Sequence, residues 1–306
     1  MSAPFSFQEL DEAGVVELPA TQGLAASDGV KLAYRAYIPE QPIASLVFYH
    51  GGGAHSGAGY VHLAAGLRDH AQIAVYTPDC RGHGESEGER GDAPSVEQLY
   101  HDVDSLLALA RSAHPDRPLF LGGHSSGAGL ALNYSSWTSR TAVDGYVFVS
   151  PQLGYRSKTE RSVGGEGNPF ATAQLAPFII NAMSCGLLMG HTKAVRFNYP
   201  PETLSADPLI VDALSVNHSN GITPEAPSTQ FANLAQPFGL WIGADDELFE
   251  PEKVVAFGEL SGRVGGDSIS VVVKDQKHLG ILVKAHEFVG PWLTESVRVA
   301  AASAGN

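Results

Sequence analysis

Cysteine is scarce, with Cys80 and Cys185 the two in 306 residues. A chain of this length can bury a large core without a disulfide framework, so a reducing, cytoplasmic setting is the expectation. Basic residues are few as well: 19 Lys and Arg stand against 33 Asp and Glu, for a formal net charge of −14. A phosphate backbone is gripped by clustered cations, and this balance argues against a nucleic-acid partner. No apolar run is long enough for a bilayer, which takes about 20 residues. The longest, Leu175 to Met189, is interrupted by Pro177, Asn181 and Ser184; it reads as a buried or substrate-facing helix, and no stable membrane insertion is expected. The opening residues MSAPFSFQELDEAG lack the basic stretch and apolar run of a secretory signal. Neither H-E-x-x-H nor paired C-x-x-C spacing occurs, and no G-x-G-x-x-G follows the first strand, so no metal and no nicotinamide or flavin cofactor is implied.

Apolar residues make up 43% of the chain and charged residues 17%, enough apolar surface for a sizeable core. Ser27-Asp28-Gly29-Val30 places a glycine turn before the alternating run Lys31 to Ile38, the pattern of an opening β-hairpin. The next strands are different. Ser45 to His50, Ile73 to Pro78, Pro118 to Gly122 and Gly145 to Ser150 are short, nearly continuous apolar runs, as parallel strands buried on both faces require. Between them, Ser95 and Gln98 make a capping-box pattern ahead of a helix whose apolar face is Val96, Leu99, Tyr100, Val103, Leu106 and Leu107. This alternation predicts an α/β protein with a doubly wound, mostly parallel sheet. The rhythm breaks between about Pro151 and Ala235 and resumes with strand-like Phe238 to Gly243 and Ser268 to Val273. The expected organisation is therefore a core in two parts, residues 1–150 and 236–306, with a cap inserted at 151–235.

Gly123-His124-Ser125-Ser126-Gly127 follows a buried strand and precedes a helical segment. In that context G-x-S-x-G is a sharp strand-to-helix turn that lifts a nucleophilic hydroxyl, here Ser125, above the sheet edge. The Ser126 N–H then faces a developing oxyanion. A second donor is needed, and His50-Gly51-Gly52-Gly53 after the first long strand offers the N–H of Gly52, with Gly53 as the alternative and as a substrate contact. Serine needs a base, and the base needs a carboxylate. The order Ser, acid, His points to Asp246 as acid and His278 as base, with Asp245 as competitor to Asp246 and Asp275 as a solvated turn residue. His286 reads as a packing residue, His124 as packing below Ser125, His83 as support for the site floor, and Cys80 as a small buried residue. Phe178, Met183 and Leu187, in the apolar stretch of the cap, are candidates to line an acyl site.

These residues resemble the monoacylglycerol-lipase-like serine hydrolases of the α/β-hydrolase superfamily. The resemblance covers most of residues 28–295. It rests on His50-Gly51-Gly52-Gly53-Ala54-His55-Ser56 with Tyr60, on Asp79-x-Arg81-Gly82-His83-Gly84-x-Ser86, on the Ser125 turn, and on the Asp246 and His278 loops. It implies a Ser125–His278–Asp246 triad, an oxyanion hole from Gly52 and Ser126, an apolar cap and no cofactor. A small-molecule ester with an apolar acyl group is the implied substrate; a lactone, thioester, amide or phthalate-type monoester is the alternative on the same triad. The family usually carries Met where this chain has Ser126, and in the cap only Asp207-Pro208-Leu209 matches it.

Overall fold

The computed structural model describes residues 8–161 and 169–304. In chain order the first elements are α1 (Gln8–Glu12), β1 (Gln22–Ala25), β2 (Lys31–Tyr37), β3 (Ala44–Tyr49), α2 (Val61–Ala71), β4 (Ile73–Pro78), α3 (Val96–Ala113), β5 (Leu119–His124), α4 (Ser126–Ser135) and β6 (Gly145–Val149). An insert follows, with β7 (Ala171–Ala173), α5 (Leu175–Met183), β8 (Lys193–Phe197), α6 (Pro201–Ala206), β9 (Ala213–Ser215), α7 (Val216–Ile222) and α8 (Pro227–Ala232). The chain closes with β10 (Phe238–Gly243), α9 (Pro251–Glu259), β11 (Ile269–Val273), α10 (Ile281–Lys284) and α11 (His286–Ala304).

The main sheet runs β1-β2-β4-β3-β5-β6-β10-β11. The β1–β2 hairpin is antiparallel, as its glycine turn predicts, and β2 joins β4 antiparallel; all later pairs are parallel. Period-2 alternation explains why the parallel strands are apolar throughout. In β3, Val47 and Tyr49 enter one core with α3, α4 and α9, while Leu46 and Phe48 enter a second core with α2, α10 and α11. Each such side chain contributes roughly 1.5–3 kcal/mol by leaving water. Ser95 caps α3 by accepting the Gln98 N–H at 3.0 Å, a contact worth about 1 kcal/mol. The helix then buries Leu99, Val103, Leu106 and Leu107 at helical spacing.

Strand order reverses between β3 and β5, which lie side by side although β4 follows β3 in the chain. Crevices at such a reversal, outside the carboxyl ends of the strands, are where open α/β sheets bind ligands. The loops after β3, β5, β10 and β11 carry Gly52, Ser125, Asp246 and His278 to that edge.

Within the insert, β7, β8 and β9 form a separate antiparallel sheet. Its apolar stretch, expected as a buried or substrate-facing helix, is largely open to solvent. In α5 only Asn181 is buried, while Leu175, Ile179 and Met183 are exposed, as is Leu187 beyond its end. The helix is apolar around most of its circumference and rests on α7 and β8 along one side, so the remaining faces stay in solvent. No helix of the described residues is long and apolar enough to cross a membrane.

Candidate active site

Two close approaches make the nucleophile turn possible. A Cβ on Gly123 would lie 2.3 Å from the Gly127 carbonyl carbon, and one on Gly127 would lie 2.3 Å from the Tyr49 oxygen and 2.5 Å from the His50 oxygen. Helix α4 can therefore start directly against β5 and β3 only with glycine at both places. Ser125 between them is held at φ 54°, ψ −119°, a conformation that non-glycine residues rarely adopt and that must be stabilised by its surroundings. Its N–H donates to Val149 O at 3.0 Å, and its carbonyl accepts from Gln152, Ala128 and Gly129.

The candidate base and acid, His278 and Asp246, are buried together. His278 Nδ1 donates to Asp246 Oδ2 at 2.8 Å, with the two residues 2% and 1% exposed. Because a carboxylate only accepts, the neutral imidazole carries its proton on Nδ1, leaving Nε2 as the basic nitrogen. The other Asp246 oxygen accepts from Leu248 N at 3.0 Å and Phe249 N at 2.8 Å. Burial alone raises this carboxyl's pKa, but the His278 charge, its hydrogen bond and the two backbone donors outweigh it and hold the pKa below the usual range. Asp245, the competitor, is exposed, and Asp275 is exposed in a turn at φ 54°. His286 stacks on His70 with centroids 5.2 Å apart at the start of α11.

A hydrogen-bond path runs beneath Ser125. Gly51 N–H donates to the Tyr60 hydroxyl at 2.7 Å, and that hydroxyl donates to His124 Nδ1 at 3.1 Å. His124 Nε2 in turn donates to the backbone carbonyl of His278 at 2.9 Å. The glycine loop and the base loop are thus joined through a buried imidazole whose tautomer every partner agrees on. Burial, with the nearby His278 second, pushes the His124 pKa down to about 3 and keeps it neutral.

The glycine loop is held from below by His50, whose Nδ1 donates to Gly51 O at 2.8 Å and whose Nε2 accepts the Cys80 N–H at 3.0 Å. Cys80 is buried, and burial pushes its thiol pKa far up. His83 is also buried, its Nδ1 on Arg81 O at 3.1 Å and its ring against His50 and His218. Asp207 accepts from His55 Nε2 at 2.7 Å, tying the Asp-Pro-Leu segment to the loop after the glycines.

Three neighbours of the site carry no sequence signal. Glu247 accepts the His278 backbone N–H at 2.8 Å, although nothing in the run Asp245-Asp246-Glu247 distinguishes its orientation. Phe197 and Tyr199, at the end of β8, lie against Gly52 and Gly53: a Cβ on Gly52 would meet the Phe197 ring at 2.6 Å and Ser126 Oγ at 3.2 Å. Their contacts span about 147 residues of chain, beyond any local pattern. By contrast Phe178 is half-buried, and Met183 and Leu187 are 82% and 85% exposed on the insert's surface. Among the described residues no cluster of His, Cys, Asp and Glu is arranged to hold a metal.

The sheet order and the four loops gathered at its reversal define an α/β-hydrolase fold. Residues 40–272 match the family described as serine aminopeptidase, S33, and the chain belongs to that family. It is similar to the monoglyceride lipase of Mus musculus, 28% identical over 191 residues that cover 62% of this chain and 60% of that protein. It is also similar to the monoacylglycerol lipase of Mycolicibacterium smegmatis, 33% identical over 113 residues, or 37% of this chain and 40% of that one. The chain spans less than two thirds of the length of these curated relatives. A soluble variant of monoglyceride lipase from Saccharomyces cerevisiae, solved with a substrate analog, shares the fold at TM-score 0.70 and 17% identity, covering 96% of this chain and 98% of that one.

Proposed function

We propose that the chain is a serine carboxylic ester hydrolase working through an acyl-enzyme, with Ser125 as nucleophile, His278 as general base and acid, and Asp246 as the carboxylate that orients it. The observation that carries this reading is the buried Asp246–His278 pair at 2.8 Å, which fixes the imidazole proton on Nδ1 and makes Nε2 the basic nitrogen. Ser125 Oγ attacks the ester carbonyl while His278 Nε2 takes its proton; the oxyanion forms opposite the N–H groups of Gly52 and Ser126. Each such donor contributes about 3 kcal/mol to the transition state. The intermediate collapses as His278 returns the proton to the leaving alcohol. Water, activated by the same nitrogen, then releases the acid.

Support for Gly52 as a donor comes from the peptide before it. A trans peptide points N–H opposite C=O, and Gly51 C=O faces inward to His50 Nδ1 and Ala54 N, so Gly52 N–H faces out. Ser126 is the first residue of α4, where an N–H has no partner within the helix. An ester with an apolar acyl group suits the Phe197 ring beside these donors, and the insert serves as the cap over them. Relatives named as monoglyceride lipases favour the same class.

The test is covalent labelling by a fluorophosphonate probe together with turnover of p-nitrophenyl esters and monoacylglycerols of graded chain length. Wild type should be labelled and active, and Ser125→Ala neither. Folded wild type that resists labelling and cleaves none of the panel would overturn the reading.

A further inference from the structure

We infer that the insert is a working part of the oxyanion hole, with Tyr199 as the residue that positions the Gly52–Gly53 peptide. The inference rests on the esterase reading above and concerns what holds its donors in place. Every carbonyl of the glycine loop is occupied. Gly51 O takes the His50 and Ala54 donors, Gly52 O takes the Tyr199 hydroxyl at 2.7 Å, and Gly53 O takes the Val211 N–H at 2.8 Å. The peptides are trans, so the N–H groups of Gly52 and Gly53 point the other way. Among the described residues neither is taken by an acceptor. The Gly51 carbonyl is thus held from within the core and the other two by residues of the insert, while both N–H groups are left without a protein acceptor among the described residues.

Glycine makes this hold necessary. A peptide between two glycines rotates easily, and rotation of the Gly52–Gly53 unit swings its carbonyl round beside the Gly52 N–H, where it repels an oxyanion. Tyr199 prevents it by hydrogen bond and by bulk. Its ring carbon would lie 3.0 Å from a Cβ on Gly53, and the Val211 carbonyl oxygen 2.3 Å from the same point. At 9% exposure and packed edge-on against Phe170 and Phe197, the ring has no free space to swing away.

Tyr199→Phe in the full chain removes the hydroxyl and keeps the ring. On p-nitrophenyl butyrate kcat should fall about tenfold with KM within about twofold, since a group that orients transition-state donors acts on kcat. Hydrogen exchange of the peptide spanning residues 49–56 should quicken, while the melting temperature stays within a few degrees of wild type. A variant with kcat within twofold of wild type and unchanged exchange overturns the inference, as does a rise confined to KM. Wild type that is inert to esters and to the fluorophosphonate sinks the esterase reading, and the exchange comparison still decides whether Tyr199 holds the loop.

Discussion

Acidifying the protein from pH 7 to pH 5 charges histidines in the unfolded chain that the folded chain keeps neutral. Four are buried at or near the site: His50, His83, His124 and His218, each 3% exposed or less. Burial is the leading cause in every case. It pushes His50 down to about 4, His124 and His218 to about 3, and His83 well below its ordinary value, with neighbouring imidazoles adding to the effect. A histidine whose folded pKa is depressed contributes stability that is present above its unfolded value of about 6.5 and is lost as pH falls toward the folded one. At pH 5 each of the four costs about 2 kcal/mol relative to pH 7, about 8 kcal/mol together. Asp102, Glu160 and Glu247, whose carboxyls are pushed up by burial, work in the opposite sense, and His62, His114 and His286, pushed down by burial, in the same one. Domains of this kind are stable by about 5–15 kcal/mol, so most of the margin disappears. The assay is urea unfolding at pH 7, 6, 5.5 and 5. The unfolding free energy should steepen below pH 6 toward a slope of several protons, about 1.4 kcal/mol per pH unit for each. His218→Asn should lower the slope by about one proton. A flat profile between pH 7 and 5, or an unchanged slope in that variant, refutes the reasoning.

The remaining predictions concern the site itself. Asp246→Asn keeps the shape and loses the charge that holds Nδ1–H, so kcat on an ester substrate should fall by about 10⁴ with little change in melting temperature. Glu247→Ala removes the acceptor of the His278 N–H, and kcat should drop about tenfold, whereas Glu247→Gln, which still accepts, should recover most of it; equal losses in both would show that charge rather than the hydrogen bond matters. Gly127→Ala drives a methyl into the Tyr49 and His50 carbonyl oxygens, so the soluble yield or the urea midpoint should collapse, a loss of at least about 3 kcal/mol. An alanine variant as stable as wild type would mean that α4 can move off β3.

What could be read in advance follows the range of the interactions. The parallel strands were legible because burial on both faces leaves a run of apolar residues, as in Ser45 to His50, and the turn at Ser125 because two glycines at fixed offsets answer a local collision. The order Ser125, Asp246, His278 followed from strands already placed, and Asp245 dropped out once loop geometry put it in solvent. The insert was far less legible. Its apolar stretch looked like a buried or substrate-facing helix by composition, yet burial is a property of what covers a surface, and nothing in Leu175 to Met189 encodes a partner. The residues that do meet the glycine loop, Phe197 and Tyr199, stand in a stretch with ordinary β-patterning. Their importance arises from a fold that returns them to Gly52 and Gly53 across more than 140 residues. The same reasoning explains the two kinds of site residue. Those proposed to perform chemistry are announced by side-chain type and spacing, because the proposed reaction allows few substitutes. Those that hold backbone in place need only a donor or a ring at the right point in space, and many sequences can supply one.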